Sequence, residues 1–183
     1  MLDFTDGLIL YHGSYCEVKK PLLERCARRK DFGPPPRTRL FVFSRLPLLK
    51  HSQMEALKRI RIMAISIFQL RPSPELSTYA FDDANVEWLH CVAAHRKRLL
   101  FLDVEDTMAK YDIIAGKIAD DATNATLAAY LVGAFGIAGS KEADDFCIKQ
   151  LLPNKLKDQY CFKTTAALDC LHFVESEKIW LKK

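Results

Sequence analysis

Leu8-Ile9-Leu10-Tyr11-His12-Gly13-Ser14 is an apolar run that ends in polar and small residues. Unbroken apolar side chains suit a strand buried on both faces, and His12-Gly13-Ser14 suits a tight loop after it. Three other stretches read the same way. Met63 to Leu70 is rich in β-branched and aromatic residues and stops before Pro72 and Pro74. Tyr111 to Ala119 reads as a strand with Gly116 as a bulge. Gln159 to Lys163 alternates apolar and polar. Leu171 to Val174 and Lys178 to Leu181 close the chain as a final strand, with a hairpin as the alternative. Pro34-Pro35-Pro36 is extended, since each proline also pushes its predecessor out of the helical region.

Helical spacing lies between these strands. Asn85 to Arg98 places Val86, Leu89, Val92 and Ala93 on one face, with cations in the last turns, where they suit the helix dipole. Gln53 to Arg61, Thr123 to Leu131 and Lys141 to Leu152 read as further helices. Asp121 or Thr123 opens the second of these, and Pro153 ends the third. Thr164 or Thr165 caps a short helix from Ala166 to Leu171. Strands and helices mix without strict alternation, so the fold class is α+β.

At 183 residues the chain is long enough for one domain with its own core. With 49% hydrophobic and 27% charged residues it matches a soluble globular protein. The longest apolar stretch, Ala125 to Gly139, holds three glycines and is too short to span a bilayer. Asp3 and Asp6 stand where a signal peptide carries cations. The six cysteines are widely spaced, without a zinc pattern, as expected of buried reduced thiols in a cytoplasmic protein. A secreted effector without a visible leader is the alternative.

Charge is uneven. Between Lys19 and Arg61 there are 13 Lys or Arg against 3 acids, while the remainder is net acidic. Such a block attracts phosphates or nucleic acid, or is a solvated face. Other candidates are weaker. Asp82-Asp83 and Asp120-Asp121 are adjacent acids, which on a strand point to opposite faces. His90 and His95 lie five apart, not at the i, i+4 spacing that shares a metal. Trp88 reads as core, and Cys16 has no activating base nearby in sequence.

Five pieces occur in a telling order: Leu10-Tyr11-His12-Gly13-Ser14, Lys30-Asp31-Phe32-Gly33, Glu87-Trp88-Leu89, Tyr111 through Asp121, and Lys157-Asp158-Gln159-Tyr160-Cys161-Phe162-Lys163-Thr164 with Ala167 to Leu171. Together they resemble a group of small bacterial domains of unknown function within the ADP-ribosyltransferase superfamily. The resemblance implies a split α+β fold over the whole of 1–183, with two small packed sheets, flanking helices and a cleft for NAD. It implies NAD as substrate, release of nicotinamide, and transfer of ADP-ribose to a protein or nucleic acid. His12 matches the position that bonds a ribose hydroxyl, and Gly13 the backbone that meets the nicotinamide amide. Tyr11, Ser14, Asp31, Phe32 and Gly33 complete the implied NAD-binding set. Gln159 matches the third superfamily position, usually acidic. His12 and Gln159 are thus the implied catalytic pair, though an amide has no charge to oppose a developing ribosyl cation.

One departure is large. The family pattern after Asp-Phe-Gly runs x-Gly-Phe-Tyr-x-Thr, whereas here Pro34-Pro35-Pro36-Arg37-Thr38 follows Gly33. Arg37 replaces the Tyr that stacks on nicotinamide, a cation opposite a cation. Two alternatives follow: a degenerate relative that binds a nucleotide without turnover, or an interaction domain using the basic segment on an acidic partner. The pattern resumes near Met63 at the family's spacing, as a shifted reading frame across residues 34–61 would leave it. On that hypothesis another frame of the coding sequence encodes Gly-Phe-Tyr; sequencing that finds none leaves true divergence.

Overall fold

The computed structural model describes residues 2–23, 40–43, 62–97, 99–118, 121–152 and 156–180. Seven strands fall in these stretches: β1 (Ile9–Ser14), β2 (Leu40–Phe43), β3 (Ile62–Leu70), β4 (Thr78–Ala80), β5 (Ile113–Lys117), β6 (Asp158–Phe162) and β7 (Leu171–Trp180). The described helices are α1 (Val86–Arg96), α2 (Leu102–Ala109), α3 (Asp121–Leu131), α4 (Lys141–Leu151) and α5 (Thr165–Asp169). The class is α+β.

Hydrogen bonding orders the strands β4-β5-β6-β2-β1-β3-β7. Among the described strands, only β4 and β5 pair in parallel. The order divides naturally. β1, β3 and β7 form one antiparallel group of three, with β1 matched to β3 from Ile9↔Gln69 to Ser14↔Ala64. β4, β5 and β6 form a second group of three, with one parallel and one antiparallel pairing. β2 joins them unequally. It matches β6 along its full length, from Leu40↔Phe162 to Phe43↔Gln159, yet meets β1 only at Tyr11↔Phe43.

Each face of the sheet carries a core. On one, helices α1 to α4 bury Trp88, Leu89, Val92, Leu127, Tyr130 and Cys147 against Ile114 and Cys161. On the other, Leu10, Val42, Phe68, Ile113, Tyr160 and Phe162 pack together with Ala167 and Leu168 of α5. The alternation of Tyr160, Cys161 and Phe162 between the two cores is the period-2 geometry of a strand covered on both faces.

Side-chain caps open three of the described helices. Asn85 accepts from the N–H of Trp88 and opens α1, and Thr164 accepts from Ala167 and opens α5. Ser140 does the same for α4.

One expectation changes. Gly116 lies in regular register opposite Gln159, so it is not a bulge. The last stretch is one strand, as first read, and not the alternative hairpin. β7 runs unbroken along β3 and absorbs one extra residue, Val174, between the pairs Phe68↔Phe173 and Ile67↔Glu175. The helix expected at Gln53 to Arg61 and the extended prolines lie outside the described residues.

Candidate functional site

The single Tyr11↔Phe43 pair is the geometric origin of the site. Among the described residues β1 and β2 meet only there; beyond it, β1 continues along β3 while β2 continues along β6. Residues His12, Gly13 and Ser14 therefore edge an opening, with no described strand paired on that side. Alternate residues of such an edge direct backbone N–H and C=O into the opening. His12 and Ser14 are half-buried and Gly13 is buried. The apolar Leu8–Tyr11 run anchors this edge, since Leu10 is fully buried against Phe68.

Pairing across the sheet sets Tyr11, Phe43, Gln159 and Gly116 in one row. Strands lie about 4.8 Å apart, so Gln159 stands roughly 10 Å from Tyr11 across the sheet. His12 belongs to the next row, opposite Ser66. The structure thus carries His12 and Gln159 to neighbouring rows, two strands apart. Pleating presents Gln159 with Tyr11 and turns His12 to the other side. Asp31, Phe32 and Gly33 lie outside the described residues.

Gln159 is 1% exposed, and its amide nitrogen has no hydrogen-bond partner among the described residues. A buried donor left unmade costs about 1–3 kcal/mol, so this amide is a group in want of an acceptor. Beside it, Asp158 pairs with Lys117 at 2.9 Å and fastens β6 to β5. Burial, with the charges of Asp3 and Asp158, pushes the Tyr160 hydroxyl up to about 12, so it stays neutral.

The remaining motif residues act as fasteners around this seam. Asp112 precedes β5. One carboxylate oxygen accepts from the backbone N–H and the hydroxyl of Ser77, both at 3.0 Å, and the other accepts from Thr164 at 2.8 Å. Burial alone raises its pKa, but these bonds and the charge of Lys163 outweigh it and hold the carboxyl below its ordinary range. Lys163 is itself buried and donates to the carbonyl of Met108. The indole N–H of Trp88 donates to the carbonyl of Lys117 at 2.9 Å, tying α1 to the end of β5. Glu87, beside it, accepts from Tyr79.

His90 and His95 have separate partners. His90 meets Asp144 at 2.7 Å and stacks on Phe101, and His95 donates to the carbonyl of Cys91. Asp83 accepts from the N–H of Ala84 and shapes a turn, while Asp120 is outside the described residues. Cys16 is exposed, Cys91, Cys147, Cys161 and Cys170 are buried, and none of these five is in a disulfide. Burial and the charge of Asp144 push Cys147 up to about 12. Among the described residues no three His, Cys, Asp or Glu converge to hold a metal. No described helix is long and apolar enough to cross a membrane.

The sequence signalled His12 and Gln159 but not what makes their neighbourhood distinctive, which is the parting of β1 from β2. The four-residue β2 is Leu-Phe-Val-Phe between basic stretches, a β-prone run whose one cue was its composition. Neither a curated protein nor a solved structure matches the chain. One family model matches residues 8–173, from the start of the β1 run to Phe173 in β7, and so takes in β1, β2, β6 and the five described helices. By that match the chain belongs to the protein family of unknown function DUF3990.

Proposed function

We propose that the protein is an ADP-ribosyltransferase-like domain that takes NAD at the parting of β1 and β2. The observation that carries the reading is the parting of β1 from β2 at Tyr11↔Phe43, in the row that holds the buried amide of Gln159, whose nitrogen has no hydrogen-bond partner among the described residues. His12 would bond a ribose hydroxyl, and the backbone of Gly13 would meet the nicotinamide amide, where the lack of a Cβ permits close approach. The C–N bond between ribose and nicotinamide breaks, and its electron pair leaves with nicotinamide. A nucleophile on a protein or nucleic-acid acceptor attacks the ribosyl carbon and loses its proton. Gln159, which projects from the other side of the sheet than His12, would reach the sugar only across the parting and would supply hydrogen bonding without charge, so stabilisation of the cationic sugar is weak and turnover slow. Because Gln159 is sealed, reaching it requires the side chains above it to move.

A second reading is favoured by Pro35, Pro36 and Arg37, which stand where the resembled pattern has Gly-Phe-Tyr. It is a relative that binds the nucleotide and performs no chemistry.

Ligand-observed NMR with NAD, on the wild-type chain and on His12→Ala, tests the site. The expected result is saturable binding that weakens at least tenfold in the variant. Nicotinamide release in the wild type alone then separates the enzyme from its inactive counterpart. Absence of binding in a folded wild-type chain would sink both readings. Gln159→Ala divides two roles: lost affinity marks contact with NAD, and unchanged affinity with a shifted melting point marks a structural amide.

A further inference from the structure

The segment from Val132 to Gly139 reads Val-Gly-Ala-Phe-Gly-Ile-Ala-Gly, eight residues without a charge or a polar side chain. It is tightly built. The N–H of Ala134 donates to Ala129, that of Gly136 to Gly133 and that of Ser140 to Ile137, each within 2.9–3.1 Å. The N–H of Gly139 donates to the Tyr130 hydroxyl at 2.9 Å and to Asp144 at 3.1 Å. Asp144 is 3% exposed and also takes hydrogen bonds from Tyr130 and His90. A buried carboxylate with three protein partners thus pins the loop.

The pinned loop nevertheless shows its apolar side chains to solvent. Val132 is 80% and Ile137 83% exposed. Neighbouring segments extend the same face. Lys97 bonds the carbonyl of Leu131, which brings the α1–α2 linker alongside, and there Leu99 is 82% exposed in a left-handed conformation. The Phe101 ring lies against Gly139, where a Cβ would come within 2.9 Å of it. Phe146 of α4 packs on Phe135 and is itself half-exposed.

With Leu102, these side chains present on the order of 500 Å² of apolar surface, at the upper end for a monomer. A standard interface takes about 800 Å² from each partner, so this face plus a polar rim is the right size for one. The rim carries both signs, with Lys97 and Lys141 against Asp103 and Glu142, all exposed. A strongly acidic or basic partner would call for a rim of one sign. A two-fold interface calls for an apolar centre and a rim that complements itself. We propose that the Val132–Gly139 loop and the Leu99–Leu102 linker form a self-association face that docks a second copy of this chain.

Sedimentation equilibrium of the full chain, from micromolar to sub-millimolar concentration, tests this. Wild type is expected to dimerise, and Val132→Asp with Ile137→Asp to raise the dissociation constant at least tenfold at unchanged far-UV circular dichroism. Leu99→Asn is the second probe. Asn tolerates the left-handed conformation better than Leu, so this change removes an apolar contact without straining the fold. It is expected to weaken the dimer several-fold. A wild type that stays monomeric throughout, or folded variants that dimerise as well as wild type, would overturn the proposal. So would a monomer that binds zwitterionic vesicles through this loop.

Discussion

Trp88→Ala is expected to lower stability by about 4 kcal/mol, the range of a fully buried aromatic truncated to a methyl. Trp88 is 0% exposed and sits among Leu89, Val92, Leu127, Tyr130 and Ile114 in the core under the helices. Its removal leaves a cavity that secondary structure on every side prevents from collapsing. It also strands the carbonyl of Lys117, which accepts the indole N–H. In a domain of this size each kcal/mol moves the melting temperature by about 2–4 °C, so a drop of roughly 8–16 °C follows. A thermal melt followed by circular dichroism measures it. Trp88→Phe keeps most of the volume and loses only the hydrogen bond, so it should lie much closer to wild type. A drop under about 2 °C for Trp88→Ala would show that α1 does not depend on this anchor.

Asp112→Ala is expected to cost about 1–3 kcal/mol, as removal of a half-buried acceptor shared by several donors does. It orphans the Ser77 N–H and the Thr164 hydroxyl together, while the Ser77 hydroxyl keeps the carbonyl of Lys110 at 2.8 Å. Thr164 is also the N-cap of α5, so one change loosens the β4 approach, β5 and α5 at once. The effect depends on pH. The folded carboxyl titrates below its ordinary value of 3.8. Its stabilisation is therefore full above that value and is lost as pH falls through the folded pKa. Denaturant melts of wild type and Asp112→Asn should differ most near neutrality and converge in acid. A gap that is constant with pH would mean the bonds do not require the ionised form.

These two residues show how a motif can be legible and its meaning not. Glu87-Trp88 and Tyr111-Asp112 stand out in the sequence as parts of a pattern that resembles a family. The structure makes Trp88 and Asp112 fasteners of the sheet, with Lys117 and Thr164 as their counterparts far along the chain. No local signal links position 88 to 117 or 112 to 164. By contrast, the caps at Asn85, Ser140 and Thr164 act within three residues, which is why spacing alone points to helix starts.

The elements that escaped the sequence reading are those with little periodicity. β4 has three residues and depends on pairing with β5. In α2 only Met108 is buried, so there is no apolar stripe to see. It begins after Phe101 in a left-handed conformation, which no common cap residue announces. Val174 reads as strand either way, and only alignment against β3 reveals it as the extra residue that keeps β7 unbroken.

What the sequence alone determined is local. Apolar runs placed β1, β3, β5 and β6, helical spacing placed α1, α3 and α4, and the mixture made the class α+β, because side-chain period and capping are short-range properties. What only the tertiary structure decided is which strands meet. The parting of β1 from β2 after Tyr11, the row that carries Gln159 toward it, and the pinned apolar loop above Asp144 all join residues distant in the chain. Such pairings follow from the packing of two cores against one twisted sheet, and no window of sequence contains that constraint.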